Sequence, residues 1–158
     1  MRLSTKGRYA VTAMLDLALR DEEHGHTTLA DISGCQDISL SYLEQLFARL
    51  RKAGLVQGLR GPGGGYRLAR DGAEISIAEI ITAVDENVQL TRCGGRENCK
   101  DGERCLTHDL WMELSESIHD YLSRVSLADL VERGRTRAAS DTQRDVSLSR
   151  AAGRSRAG

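Results

Sequence analysis

The run S-L-S-Y-L-E-Q-L-F-A-R-L-R-K-A-G (residues 39–54), continued by L-V-Q-G-L-R (55–60), G-P-G-G-G (61–65) and Y-R-L-A (66–69), decides the fold. Leu40, Leu43, Leu46, Phe47 and Leu50 fall on one face of a helix. Ser39 is placed to cap its start and Gly54 to stop it. The opposite face carries Ser41, Tyr42, Glu44, Gln45, Arg49 and Lys52. Two short runs on either side of a glycine-rich turn then predict a β-hairpin. The turn lacks the lysine and the following helix of a phosphate-binding loop.

Upstream, residues 5–20 place Tyr9, Met14, Leu15, Leu17 and Leu19 among alanines, which predicts a first helix with a broad buried face. His24-Gly25-His26 forms a turn. Thr28 caps a short helix, with Asp31 in a box-like arrangement, Leu29, Ala30 and Ile32 as its apolar contacts and Gly34 as its end. Helix, short helix, capped helix, hairpin is the order of a winged helix-turn-helix, here spanning 1–72. The helix after Ser39 is its reader, because it joins one apolar face to one face of hydrogen-bonding groups. The expected DNA contacts are Ser39, Ser41, Tyr42, Glu44, Gln45 and Arg49, with Arg60 from the hairpin, which also carries Arg67 and Arg70. Glu44 is unusual, since phosphates repel a carboxylate. It can accept from cytosine N4, or bar the wrong sites.

Downstream, Ser76 and Glu79 form a capping box that opens a helix through Ile77, Ile80, Ile81 and Val84. A long helix is expected from about 108 to 124, with Leu110, Trp111, Leu114, Ile118, Tyr121, Leu122 and Val125. This is more apolar surface than a thin head can cover, so packing against a second copy in a homodimer is expected. Residues 126–129 start one more short helix. Residues 73–133 thus form a second unit, and the Arg/Ser/Ala/Gly-rich stretch 134–158 is expected to be disordered. The fold class is mainly α with a small β wing: a winged head plus a long dimerisation helix.

The composition is ordinary for a globular chain, with 40% hydrophobic and 28% charged residues among 158. Aromatics make up 4% and there is one proline, so the core must be aliphatic and largely helical. No apolar stretch approaches a membrane span and no signal segment is visible, so a cytoplasmic location is expected. The net charge of −1 is uneven: the head carries ten basic against eight acidic residues, and 73–133 six against thirteen. Bulk charge therefore does not establish DNA binding, which must rest on local cations.

Between the two units lies T-R-C-G-G-R-E-N-C-K-D-G-E-R-C-L-T-H (91–108), with Cys93, Cys99, Cys105 and His108 in C-x5-C-x5-C-x2-H spacing. Clustered cysteines in a reducing compartment indicate metal or redox chemistry. Thiolates and imidazole suit both zinc and iron–sulfur clusters. Structural zinc usually takes tight cysteine pairs, whereas two five-residue gaps with Gly94, Gly95 and Gly102 favour something larger than one ion. A zinc-stabilised repressor and an electron carrier or redox enzyme remain alternatives. Cys35 lies apart and is expected to be a buried or incidental thiol; His24, His26 and His119 are expected to face solvent. No constellation of catalytic residues stands out, so no enzyme activity is expected.

M-R-L-S-T-K-G-R-Y-A-V-T-A-M-L-D-L-A-L (1–19), L-A-D-I-S (29–33), residues 38–56, R-G-P-G-G-G-Y (60–66) and the cysteine loop together resemble the bacterial iron–sulfur cluster assembly regulators, over roughly 1–133. The resemblance implies a homodimeric transcription factor on palindromic double-stranded DNA, with one [2Fe–2S] cluster per subunit held by Cys93, Cys99, Cys105 and His108. Related nitrite-sensing and iron-responsive regulators share the cysteines but are not expected to have this histidine. By the same resemblance, the loaded form represses the cluster-assembly operon and the cluster-free form still acts at a second class of sites. Glu44 matches a glutamate implicated in rejecting the first class without cluster, and Arg60 matches the wing arginine. The assembly machinery is the implied cluster donor. Cys35 stands outside the family pattern.

Overall fold

The structure, a computed structural model, describes residues 4–85, 89–91, 93–100, 102–137 and 139. Helix α1 (Thr5–His24) starts at Ser4, whose hydroxyl accepts from the Lys6 amide, and ends at Gly25, whose amide donates to the Asp21 carbonyl. It therefore runs one turn beyond the expected residue 20. Helix α2 (Leu29–Gln36) has the full capping box of Thr28 and Asp31. It passes through Gly34, the expected end, and stops only at Asp37, which takes a left-handed φ of 53°. The reason lies beyond Gly34: Ile38 turns back into the core, and Ser33 Oγ donates to its carbonyl at 2.7 Å. Cys35 sits on the outer face of α2 rather than in the core, 2.8 Å from Arg20 Nη2.

Helix α3 (Leu40–Lys52) begins at Ser39, which accepts from the Tyr42 amide, and buries Leu43, Leu46, Phe47 and Leu50. Leu40, expected on the same stripe, is 43% exposed at the first position of the helix. Strands β1 (Val56–Leu59) and β2 (Gly65–Leu68) pair antiparallel, Val56 opposite Leu68 and Leu59 opposite Gly65. The wing is seated by paired backbone bonds between Thr27 and Tyr66, each 2.8 Å. Gly65 permits this: a Cβ there would lie 2.5 Å from the Thr27 carbonyl oxygen. The Tyr66 ring meets Phe47 edge-on at 4.9 Å, which locks the wing to α3.

After a single 3-10 turn (Gly72–Glu74), helix α4 (Ile77–Ala83) starts with the Ser76–Glu79 capping box and ends against Val84. Ile75, Ile77, Ile80, Ile81 and Val84 share one core with Ala10, Met14, Leu17 and Phe47. The core therefore runs across residue 72, the boundary expected from sequence. Helix α5 (His108–Arg124) lies against α4 and rejoins this core at Val125. There the Ile77 amide donates to the Val125 carbonyl and the Leu127 amide to the Ile75 carbonyl.

A last helix, α6 (127–137), is capped by Ser126 and Asp129, which exchange bonds of 2.8 and 3.1 Å. Leu127 and Val131 anchor it in the core. Residues 134–137, expected to open the disordered tail, instead continue this helix, because a capped and anchored first turn propagates through arginines and threonine without further burial. Residues 138 and 140–158 of that expected tail lie outside the described residues. No described helix is long and apolar enough to cross a membrane.

Candidate metal centre and reading helix

His108 opens α5 and is only 2% exposed. Its Nδ1 lies 3.1 Å from Cys99 Sγ and 3.5 Å from Cys93 Sγ, and the two sulfurs are 3.3 Å apart. Three donor atoms from three places in the loop thus converge within 4.8 Å. The loop reaches them through local bonds rather than a core of its own. Tandem Gly94 and Gly95, at φ 62° and 83°, turn the chain after Cys93, and the Gly95 amide donates to Thr91 Oγ1 at 2.9 Å. Lys100 and Glu103 exchange backbone bonds, which folds the segment between Cys99 and Cys105 back on itself. Leu90 is tethered to α5 through its amide and Ser115 Oγ, 3.0 Å. Arg104 pairs with Asp109 and holds the last part of the loop to the first turn of α5.

Cys105, the fourth expected ligand, stands at the rim. Its Sγ lies 3.8 Å from Thr107 Oγ1, outside the compact group of three. It lines the same cavity as Cys99 and His108, a space of about 610 Å³ walled also by Leu90, Thr91, Lys100, Thr107 and Trp111.

The electrostatics favour the thiolate at Cys93 and Cys105 but not at Cys99. At Cys93, burial pushes the thiol up. Hydrogen bonds from Cys99, from the Gly95 and Glu97 amides and from Thr91 outweigh it and bring the pKa down to about 6. Cys105 is lowered too, first by its hydrogen bond with Cys99 and despite burial. At Cys99 a backbone bond involving Cys105 acts downward, but the bond to Cys93, burial and the nearby Cys105 leave it raised. Neighbouring thiols share protons in this way, and a cation supplied at their centre would take thiolates from all of them. Two sulfurs and a buried imidazole, with a third sulfur on the rim, are a donor set for zinc or an iron–sulfur cluster.

The groups expected to meet DNA are less uniform than their sequence. Ser41, Glu44 and Gln45 are exposed on α3, and Arg60 is exposed at the wing. Ser39 uses its hydroxyl as the cap of α3. Tyr42 is half-buried and meets Tyr9 of α1 edge-on at 5.9 Å. Arg49 is engaged by Asp85 and lies beside the Val84 carbonyl. Arg67 donates to Gln57 and Arg70 to Glu79, so both act inside the hairpin and its junction with α4. Asp85, Thr91 and Ser115 are partners that the sequence reading misses. Asp85 and Thr91 carry no local pattern that marks them; Ser115 does fall two turns from His108 on the same helical face.

A winged helix-turn-helix joined to a thiol–imidazole group that could hold a metal defines the class: a DNA-binding transcriptional regulator with a candidate metal site. The chain belongs to the Rrf2 family, whose profile, described as iron-dependent transcriptional regulator, matches residues 3–133. It is similar to the HTH-type transcriptional regulator IscR of Serratia proteamaculans, 56% identical over 154 residues, covering 98% of this chain and 93% of that protein. Among solved structures it is similar to the T. potens IscR (36% identity, TM-score 0.69, covering 85% of this chain and 88% of that one). It is also similar to CymR, the global cysteine regulator of B. subtilis (32% identity, TM-score 0.72, covering 84% and 98%). Regulators rather than enzymes make up this company.

Proposed function

We propose that this regulator senses iron–sulfur status through one [2Fe–2S] cluster per subunit, held by Cys93, Cys99, Cys105 and His108. The observation that carries the reading is the buried His108 Nδ1 within 3.5 Å of two cysteine sulfurs at the foot of α5. A bound cluster supplies an oxidation-sensitive and iron-dependent state that the side chains alone lack. The chain's own part is to hold the donors, and to join them to the head through α4 and α5. Cys105, which lines the same cavity, closes the ligand set.

In this reading the protein is a cytoplasmic homodimer on palindromic double-stranded DNA. Ser39, Ser41, Tyr42, Glu44 and Gln45 of α3, with Arg60 of the wing, face the DNA, while Arg49 of the same helix is engaged by Asp85. The loaded form represses the cluster-assembly operon, and the cluster-free form binds a second set of sites. The assembly machinery donates the cluster. Glu44, exposed on the reading face, excludes cluster-free protein from the first set, since an unpaired carboxylate near phosphates or the wrong base edge costs binding.

The compactness of Cys93, Cys99 and His108 also suits a single zinc ion, which favours one second reading: a zinc-stabilised repressor. An anaerobic visible absorption spectrum with iron, sulfide and zinc analysis separates them. Charge-transfer bands with about two irons and two sulfides per chain support the cluster. A colourless protein that keeps zinc after attempted reconstitution overturns it.

A further inference from the structure

Arg49 shares a helical stripe with Tyr42 and Gln45, toward the C-terminal end of α3. Its guanidinium does not stand free for DNA. Nη1 donates to Asp85 Oδ2 and lies 3.5 Å from the Val84 carbonyl oxygen. Both partners belong to the end of α4 and the residue that leaves it. Val84 is fully buried, and the Asp85 amide donates to the Thr82 carbonyl at 3.0 Å, so a core-anchored backbone presents this carboxylate. Asp85 has a φ of 56°, where the chain leaves α4. In sequence the metal loop is near: Leu90 is tied to α5 through Ser115, and Cys93 follows Asp85 by eight positions.

We infer that Arg49 is a positioning residue, and that its pair with Asp85 transmits the state of the Cys93–Cys99–His108 centre to the reading helix. The inference rests on the sensing function proposed above. Stability is a weak reason for such a contact. The two side chains are 42% and 77% exposed, and exposed ion pairs contribute little to folding. Geometry is the stronger reason. The arginine fork has two acceptors on one core-anchored stem, so a movement of that stem is passed to the end of α3, where Gln45 lies one turn away. Within the described residues this is a charged contact between the reading helix and the stem of the metal loop, across 36 positions of sequence.

The test compares the full chain, cluster-loaded and cluster-free, binding a duplex selected with the loaded parent. Variants are Asp85→Asn, Arg49→Gln and the double. Asp85→Asn is decisive, because asparagine tolerates the left-handed backbone while removing the charge, so the ion pair is lost with Arg49 still in place. The expected result is a loaded-to-free affinity ratio at least about 5-fold smaller than the parent's, the low end of ordinary coupling. Iron content and absorption should be unchanged, and the double variant should match Asp85→Asn in this ratio rather than add to it. A parental ratio in Asp85→Asn, with Arg49→Gln weakened equally in both states, overturns the inference and makes Arg49 a plain phosphate contact. Loss of iron from Asp85→Asn also overturns it, since the aspartate would then serve the centre. A parent with equal affinity in both states overturns the sensing function itself, and this link with it.

Discussion

His108 shows what one side chain can organise. It is the most buried of the expected ligands, it opens α5, and its ring is the point on which Cys93 and Cys99 converge. Replacing even an outer partner of a metal ligand commonly costs ten- to a hundredfold in metal affinity. His108→Ala should therefore retain iron at least about tenfold less well on anaerobic dialysis. His108→Cys should recover retention with an altered visible spectrum. Equal iron in His108→Ala and the parent would remove the histidine from the ligand set. In the proposed function Glu44 works in the opposite sense, by what it prevents. It is exposed on α3, and none of the ion pairs among the described residues engages it. Glu44→Ala should let cluster-free protein bind the cluster-dependent duplex about tenfold more tightly, within the range of a single base-discriminating contact. Unchanged selectivity in a gel-shift titration would clear Glu44 of that role.

The elements are held by short-range signals, and these are the legible part of the sequence. Ser39, Thr28 with Asp31, and Ser76 with Glu79 mark helix starts locally, and each forms the cap its pattern implies. Glu79 has a second task, since Arg70 Nη2 donates to its Oε1 at 2.7 Å and ties the wing to α4. That hydrogen bond first, then those at the Ser76 cap, hold its carboxyl below the ordinary glutamate value against a small burial effect. A carboxylate lowered in the folded state stabilises above its unfolded pKa and loses this as pH falls through the folded one. Thermal stability should thus decline below about pH 4.3, the unfolded glutamate value. Glu79→Gln should flatten that limb while costing about 1 kcal/mol at neutral pH through the weakened cap. An acid limb as steep in the variant would place the sensitivity elsewhere. What the sequence hides is long-range or competitive. Arg49 and Asp85 are 36 positions apart, with nothing local to announce their pairing. Gly34 reads as a stop, but Ile38 gains more by reaching the core than the helix loses by crossing a glycine. The spacing of the cysteines marks the centre, but not that Cys105 lies at its rim.

At the scale of the molecule, α5 carries two different faces. His108, Met112, Ser115 and Leu122 turn inward, toward the metal loop and α4. Leu110, Trp111, Leu114 and Tyr121 remain exposed, from 36% to 59%, and Leu106 just before the helix is fully exposed. A row of large apolar side chains open to water marks an interaction face. A second copy is the occupant that would also set two reading helices for the two halves of a palindrome. Residues 73–133 carry the chain's excess of acid, so in such a dimer this half would be repelled by phosphate and the two heads would meet it. Dimerisation and DNA affinity should therefore fail together. Leu110→Glu with Leu114→Glu puts two charges on the open face and disturbs no buried side chain within the subunit. Sedimentation should show the mass halved to that of one chain, with the helical circular dichroism kept. Affinity for the palindromic duplex should drop at least about a hundredfold, since each head loses the effective concentration supplied by its twin. A variant that stays dimeric would move the subunit contact off α5. A monomer that binds the palindrome as tightly as the parent would show that one head reads the site alone.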